Sequence, residues 1–410
     1  MRTLWILTEL YYPEQTSTGY LLTKTAEGLA KQFKVKVITG PSTNFYIREP
    51  APSRETRNGV EIFRCWGTSL NKDVFYGRII NILTRTCSIL ARGLLQCRGK
   101  DIVLVVTHPP TLPFAALLIK WVKRTPFVLL IHDVYPEVLV ASGFCSPRSA
   151  AVELARIATQ FLYKSALAIV SIGRDMTELA LTKLPPKDRR INLIPNWAEN
   201  EIVQPAPRQR NRILNELQLS DRFVILYAGN IGRTHGIEYL VEAAASLIND
   251  ASIHFLVVGL GAKKHWLEQS ITARELGNIS LMRPVPRSEL TVVLNAANVA
   301  LISFVPGMAG VSVPSRMYNQ MAAGKAIIAM ADENSELAQV VREENIGWVL
   351  APGDVQGLIK AIQEAIANPD KVIEMGIRAH QAATTKYTFK KSDAAYRALF
   401  KDLFIGHAAK

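Results

Sequence analysis

The sequence predicts an α/β protein of two similar-sized domains, each a doubly wound parallel sheet with helices on both faces. Three observations predict it. The chain has 410 residues, beyond the size at which one hydrophobic core usually keeps growing. Short runs rich in Val, Ile and Leu, without polar alternation, read as strands buried on both faces. Helix-length patterns separate those runs, the order that gives parallel pairing through crossover connections.

In the first half the strand-like runs are residues 4–8, 35–39, 60–64, 102–106, 127–131 and 168–172. Helical patterns lie between them at about 20–32, 74–96, 112–122 and 148–164. The alternation restarts after Ile194-Pro195-Asn196-Trp197, with strands at 223–228, 253–258, 279–282, 299–303 and 326–330. The stretch from Gln204 to Arg212 holds Pro205, Pro207 and three arginines and reads as a surface connection. Domains are therefore expected over 1–199 and 200–388, with a helix over 389–410 placed to pack back on the first. Two such sheets facing each other make a central cleft between their carboxyl ends, where open α/β folds take ligands.

Composition narrows the setting. Hydrophobic residues make up 49% of the chain, enough for two cores, and neither low-complexity tracts nor solenoid repeats occur. Cys65, Cys87, Cys97 and Cys145 are scattered without a C-x-x-C pair, which fits a reducing compartment. The opening MRTLWILTEL is too short an apolar run for a signal peptide. The apolar stretch 112–119 is cut by Lys120, Lys123 and Arg124 well before a bilayer span. A cytoplasmic protein is expected. Net charge is +13; residues 1–200 hold 26 Lys and Arg against 15 Asp and Glu, and residues 201–410 hold 22 against 20. The first half should therefore meet an anionic surface or substrate.

Two segments of the second half carry candidate chemistry. Strand 223–228 runs into Gly229-Asn230-Ile231-Gly232-Arg233-Thr234-His235-Gly236 and then a helix from about Ile237. Its glycines let backbone N–H groups approach a phosphate, and Arg233 adds a permanent cation. The spacing is neither a Walker loop nor the dinucleotide fingerprint, and strand-to-helix turns often contain glycine for purely structural reasons. The second segment runs from Val311 through Pro314-Ser315-Arg316-Met317 to Asn319. Pro314 suits a first helical turn, which would leave the N–H groups of Ser315, Arg316 and Met317 to meet an anion beside the Arg316 guanidinium. Asn319, one turn on, is placed to hydrogen-bond a ribose diol. Gly259 ends another strand, and Arg283-Pro284-Val285-Pro286-Arg287 ends the next, where a nucleobase could stack on the backbone at Val285.

Taken in order, Gly-Asn-Ile-Gly-Arg, Val-Val-Gly-Leu-Gly, Val-Pro-Arg-Ser-Glu-Leu and Val-Pro-Ser-Arg-Met-Tyr-Asn-Gln-Met-Ala-Ala-Gly-Lys resemble the retaining glycosyltransferases of family four. The resemblance extends to Tyr12-Pro13 and Gly19, to His132-Asp133-Val134-Tyr135-Pro136-Glu137 and to Ile194-Pro195-Asn196-Trp197-Ala198. It implies two Rossmann-like domains in the glycosyltransferase B architecture. The Asp-x-Tyr-Pro-Glu and Pro-Asn-Trp-Ala forms are most similar to the branch that builds bacterial exopolysaccharide, colanic acid and O-antigen units, including N-acetyl-L-fucosamine transferases. The family's diphosphate Arg and Lys fall at Asn230 and His235, which moves the charge to Arg233. Its paired glutamates fall at Val311 and Asn319, so both carboxylates are missing.

In the first half, the resemblance makes Thr18 and Gly19 part of a loop over donor phosphates and acceptor. Asp133 and Glu137 follow strand 127–131, which sets carboxylates at the sheet's binding edge, with His132 a weaker candidate. Residues 74–99 contain no acid, and Arg78, Arg85 and Arg92 recur every seven positions beside Ile79, Ile82, Leu83, Leu90 and Leu94. That pattern suits an anionic membrane surface, although an ordinary helix with a solvated arginine face shows the same spacing.

The expected activity is a retaining transfer from a nucleotide-diphosphate sugar, of the UDP-hexosamine or deoxyhexosamine kind, to a lipid-linked or saccharide acceptor. Arg233 and Arg316 would neutralise the leaving diphosphate, with Asp133 as the acceptor-side carboxylate. No D-x-D occurs, so no metal or other cofactor is expected. A UDP-sugar 2-epimerase of similar fold and a non-catalytic membrane scaffold are the alternatives. Nucleic-acid binding is disfavoured, because no basic run is interleaved with aromatics.

Overall fold

The structure is a computed structural model that describes residues 2–42, 51–71 and 75–408. Val74, where the second helical pattern was expected to begin, and residues 409–410 lie outside them. The chain divides into two compact units: residues 1–137, 147–195 and 390–410 form one, and residues 138–146 and 196–389 form the other.

Unit 1 begins with β1 (Thr3–Thr8), α1 (Ser17–Ala30), β2 (Lys34–Thr39), β3 (Arg54–Arg57) and β4 (Val60–Arg64). It continues with α2 (Phe75–Gln96), β5 (Ile102–Val106), α3 (Leu112–Lys123) and β6 (Phe127–Leu130), whereas the short α4 (Glu137–Ala141) that comes next in the chain belongs to unit 2 from Val138 onward. Then come α5 (Ala150–Ser165), β7 (Ala168–Ser171), α6 (Arg174–Leu181) and β8 (Ile191–Leu193). The strands lie in the order β3-β4-β2-β1-β5-β6-β7-β8, all parallel except the β3–β4 hairpin. β1, β5, β6 and β7 are buried along their whole length, as two-faced central strands require. Strand β3 was not expected, because its Arg-Glu-Thr-Arg sequence buries neither face. It holds its place as an antiparallel edge on β4, where Arg54 leans over the Phe63 ring.

Unit 2 comprises α7 (Arg212–Glu216), β9 (Phe223–Ala228), α8 (Ile237–Ser246), β10 (Ile253–Val258), α9 (Lys264–Ala273) and β11 (Ile279–Met282). It goes on through α10 (Leu290–Asn295), β12 (Val299–Ser303), α11 (Arg316–Ala322), β13 (Ala326–Met330), α12 (Glu336–Glu343) and β14 (Gly347–Leu350). Helices α13 (Val355–Ala367) and α14 (Pro369–Thr385) close it, and α15 (Phe389–Ala408) clusters with unit 1 from Lys390 onward. The parallel order β11-β10-β9-β12-β13-β14 reverses at β9, so the turns leaving β9 and β12 lie side by side at a topological switch point. A core of Ile225, Tyr227, Ile237, Leu240, Phe255 and Ile328 packs helices onto the sheet and fixes both turns.

Candidate active site

The turn after β9 is built as a cross-braced shelf. Gly229 N–H donates to the Val258 carbonyl at 2.9 Å and Ile231 N–H to that of Leu260 at 2.8 Å. Tyr227 Oη donates to the Asn230 carbonyl at 2.6 Å, and Ser303 Oγ to that of His235 at 2.7 Å. Two glycines are obligatory for this packing. Gly229 has φ +152°, and a Cβ there would stand 2.7 Å from Arg316 Nη1. A Cβ on Gly259 would fall 2.0 Å from the Gly229 carbonyl oxygen. Gly232 stands in the same turn, with Asn230 and His235 against it.

Arg316 therefore occupies the space directly above the Gly229 backbone. Its guanidinium lies 4.7 Å from the Tyr227 ring, and Nη2 donates to the Ser303 carbonyl at 3.3 Å. Nε and Nη1 are buried and find no acceptor among the described residues. A cation held in this way, with N–H groups shielded from water and unsatisfied, is a binding point for an anion. Beside it, the His235 ring packs 5.5 Å from Phe304. Burial first, then the Arg316 and Lys263 charges, push its pKa down to about 3. The His235 imidazole is therefore neutral, and the site's fixed charge comes from arginine and lysine.

Arg233, expected to share the clamp, is exposed, with its guanidinium 5.0 Å from the Phe144 ring. It lies near enough to Lys263 to lower that ammonium's pKa, after the larger effect of burial. Lys263 went unnoticed in the sequence. It follows the Gly259-Leu260-Gly261 turn, its N–H donates to the Ile231 carbonyl at 2.9 Å, and its ammonium pairs with Glu238.

The segment before α11 departs from expectation at Met317 and shows an unforeseen partner at Asn319. Met317 N–H is not available to an anion, because the chain tightens there and the bond goes to the Pro314 carbonyl at 3.0 Å. Asn319 is tied to Glu199 at both ends of its amide, which leaves one Nδ2 hydrogen and one Oδ1 lone pair for a ribose. Oδ1 accepts the Glu199 N–H at 3.0 Å and Nδ2 donates to Glu199 Oε1 at 2.7 Å. The same carboxylate pairs with Arg287, so Glu199 ties the stretch after β11, including half-buried Val285, to α11. A buried carboxylate thus stands beside the position where the family pattern has one, supplied by another segment. Its only sequence signal is that Glu199 directly follows Pro-Asn-Trp-Ala. Ser315, at the start of α11, is half-buried and engaged.

Unit 1 carries its own polar edge. His132 and Asp133 follow β6, and both backbone N–H groups donate to Thr107 Oγ1, at 3.0 and 3.2 Å. Burial, outweighing the attraction of Asp133, lowers the His132 pKa to about 4, so this ring is neutral too. The Asp133 carboxylate is half-buried and has no hydrogen bond or ion pair among the described residues. Glu137 differs: Lys183 Nζ holds it at 2.8 Å, which makes it a structural ion pair rather than a free acceptor ligand. Gly19 also departs from expectation, because its N–H donates to the helix cap Thr16 Oγ1 at 3.3 Å and its carbonyl accepts from Thr23 at 2.7 Å. Thr18, next to it in the first turn of α1, is half-buried.

The expected basic stripe on α2 does not form. A seven-residue spacing keeps Arg78, Arg85 and Arg92 on one helix face, and at Arg85 that face is turned inward. Arg85 is 1% exposed, pairs with Glu9 and donates to the Thr68 carbonyl at 2.9 Å. Arg92 is half-buried over the Phe63 ring at 5.6 Å, and Arg78 alone of the three is exposed. No described helix is long and apolar enough to cross a membrane.

Comparison with known proteins extends over most of the chain. Residues 209–382 match the family described as Glycosyl transferases group 1, and residues 19–197 match the Glycosyl transferase 4-like domain. The probable glycosyltransferase WbjE of Pseudomonas aeruginosa is 31% identical over 370 residues, covering 89% of each chain. The putative colanic acid biosynthesis glycosyl transferase WcaI of Escherichia coli K12 is 28% identical, covering 88% of this chain and 91% of that one. The crystal structure of Anabaena Alr3699/HepE in complex with UDP-glucose superposes with a TM-score of 0.74 at 12% identity, covering 98% of this chain and 100% of that one. The last similarity concerns the fold alone.

Proposed function

The chain belongs to the group 1 glycosyl transferases, and from that premise we propose that it moves a sugar from a nucleotide-diphosphate donor, of the UDP-sugar class, to a saccharide or lipid-linked acceptor in bacterial surface polysaccharide synthesis. The observation that carries the reading is Arg316, with two buried, unsatisfied N–H-bearing nitrogens held over the Gly229 turn at the switch point of unit 2. The UDP-glucose bound by HepE and the colanic acid assignment of WcaI support the donor class and the setting.

The transfer proceeds with retention. The acceptor oxygen bonds to the anomeric carbon on the face from which the diphosphate leaves, the carbon–oxygen bond to phosphate breaks, and the acceptor proton passes to a diphosphate oxygen. Arg316 neutralises the charge that develops on the leaving group, and a cation already in place does so without reorganising. Exposed Arg233 contacts the diphosphate from the solvent side. The Asp133 carboxylate orients an acceptor hydroxyl. Charge neutralisation by arginine makes a divalent metal unnecessary.

The test is release of UDP from a panel of UDP-sugars, with and without a lipid-linked acceptor and with excess chelator. Acceptor-dependent release that survives chelation supports the reading. Conversion of the donor sugar without acceptor would indicate an epimerase, strict dependence on Mn²⁺ or Mg²⁺ would overturn the metal-free step, and absence of nucleotide binding would leave a scaffold.

A further inference from the structure

Helices α3 and α5 of unit 1 lie side by side, with Trp121 and Phe161 ring centroids 6.0 Å apart and Lys120 Nζ donating to the Ser165 carbonyl at 2.7 Å. Both turn large apolar side chains to solvent: Leu118, Trp121 and Val122 on α3, and Leu154, Ile157 and Phe161 on α5. Val122 is 66% and Leu154 68% exposed. Each set follows a three- or four-residue spacing, so the two helices join their stripes into one face. Scattered exposed apolar residues are ordinary, but a contiguous aromatic and aliphatic face on two packed helices marks a contact surface.

A basic pocket adjoins this face. The segment after α2 runs against the end of α3, where a Cβ on Gly99 would stand 3.2 Å from the Lys123 carbonyl oxygen. There a pocket of about 440 Å³ is lined by Lys34, Lys36, Arg98 and Lys100, with Leu95, 83% exposed, at its rim. Two carboxylates beside these four cations offset them in part and leave the pocket net positive. Asp101 is spent on Thr3 N–H, Trp5 Nε1 and Arg98 N–H, and Glu61 serves Lys36 at 3.1 Å and Lys34 at 4.0 Å. Lys123, Arg124 and Lys164 add positive charge at the helix ends, against the single exposed acid Glu153 on α5.

We infer that the α3–α5 face and the pocket beside it form a docking surface for an anionic phospholipid bilayer, the apolar side chains entering the interface while Arg98, Lys100 and Lys34 meet headgroup phosphates. An interfacial site needs this combination of Trp and Phe with flanking Lys and Arg. A second copy of the chain is the poorer occupant, because a two-fold contact through this face would set cations against cations. The inference deepens the lipid-linked-acceptor reading proposed above and names a different face from the α2 arginines.

Flotation of the full chain with phosphatidylcholine vesicles, and with vesicles containing one-third phosphatidylglycerol, tests it. Binding should require phosphatidylglycerol and weaken at high salt. Arg98→Glu/Lys100→Glu should reduce partitioning about tenfold or more. Trp121→Ser/Phe161→Ser should do the same, with unchanged circular dichroism for both variants. If the wild type binds anionic vesicles and neither pair matters, the face is wrong while the membrane reading stands. Wild-type indifference to anionic lipid overturns both, and a concentration-dependent dimer abolished by Trp121→Ser/Phe161→Ser would assign the face to a second copy.

Discussion

Arg316 concentrates the electrostatics of unit 2. A guanidinium with two buried, unsatisfied nitrogens beside a neutral imidazole is costly to hold without an anion. Arg316→Ala should therefore lower turnover by roughly 10²–10³-fold, the range for loss of one preorganised charge-stabilising donor. Arg316→Lys should recover little, because a point charge cannot replace two directed N–H groups. The buried Arg85–Glu9 pair makes a contrasting prediction. Glu9→Ala strands the Arg85 cation and should cost about 3 kcal/mol of stability, read by urea unfolding, whereas a loss below about 1 kcal/mol would show that Arg85 is not held by that pair. Residue identity was legible where glycine and arginine sit in one short turn. It was not legible at Arg85, since helical spacing records which face a side chain is on but not whether Glu9, just past the end of β1, waits underneath. The partner of Asn319 was hidden for a similar reason: Glu199 lies 120 residues away in sequence.

The β9 turn holds Arg316 in place and is shaped by close backbone approach. Gly229→Ala would push a methyl group into Arg316 Nη1, so the guanidinium must swing away even if the fold survives. Turnover should fall about 100-fold, as a misplacement of about 1 Å can cause, with the thermal midpoint shifting by only a few degrees. A variant that keeps full turnover would detach Arg316 from this geometry. The strands flanking the turn were readable because β9, β10 and β12 are largely buried on both faces and show as near-continuous apolar runs, interrupted by His254 in β10 and ended by Ser303 in β12. Edge strands β3, β8 and β14 escaped notice because none has a fully buried face to write a pattern into the sequence.

At the scale of the whole molecule, both units carry histidines held neutral by burial: His132 at about 4, His235 at about 3 and His254 at about 4. Each is depressed below the ordinary value of about 6.5, so the unfolded chain takes up protons first as pH falls. Stability should be full above about pH 6.5 and decline progressively below it. A thermal midpoint that stays flat from pH 7 to pH 4.5 would contradict this. The two-unit α/β architecture was visible from alternation alone, whereas the docking face depended on which helices the sheet order brings together. Sugar transfer from a diphosphate donor held by Arg316 can be tested by measuring acceptor-dependent UDP release from UDP-sugars by the wild type and by Arg316→Ala. Chelator-resistant turnover is expected of the wild type, with a loss of at least about 100-fold in the variant with its fold intact; equal turnover by the two proteins would rule out Arg316 as the diphosphate clamp.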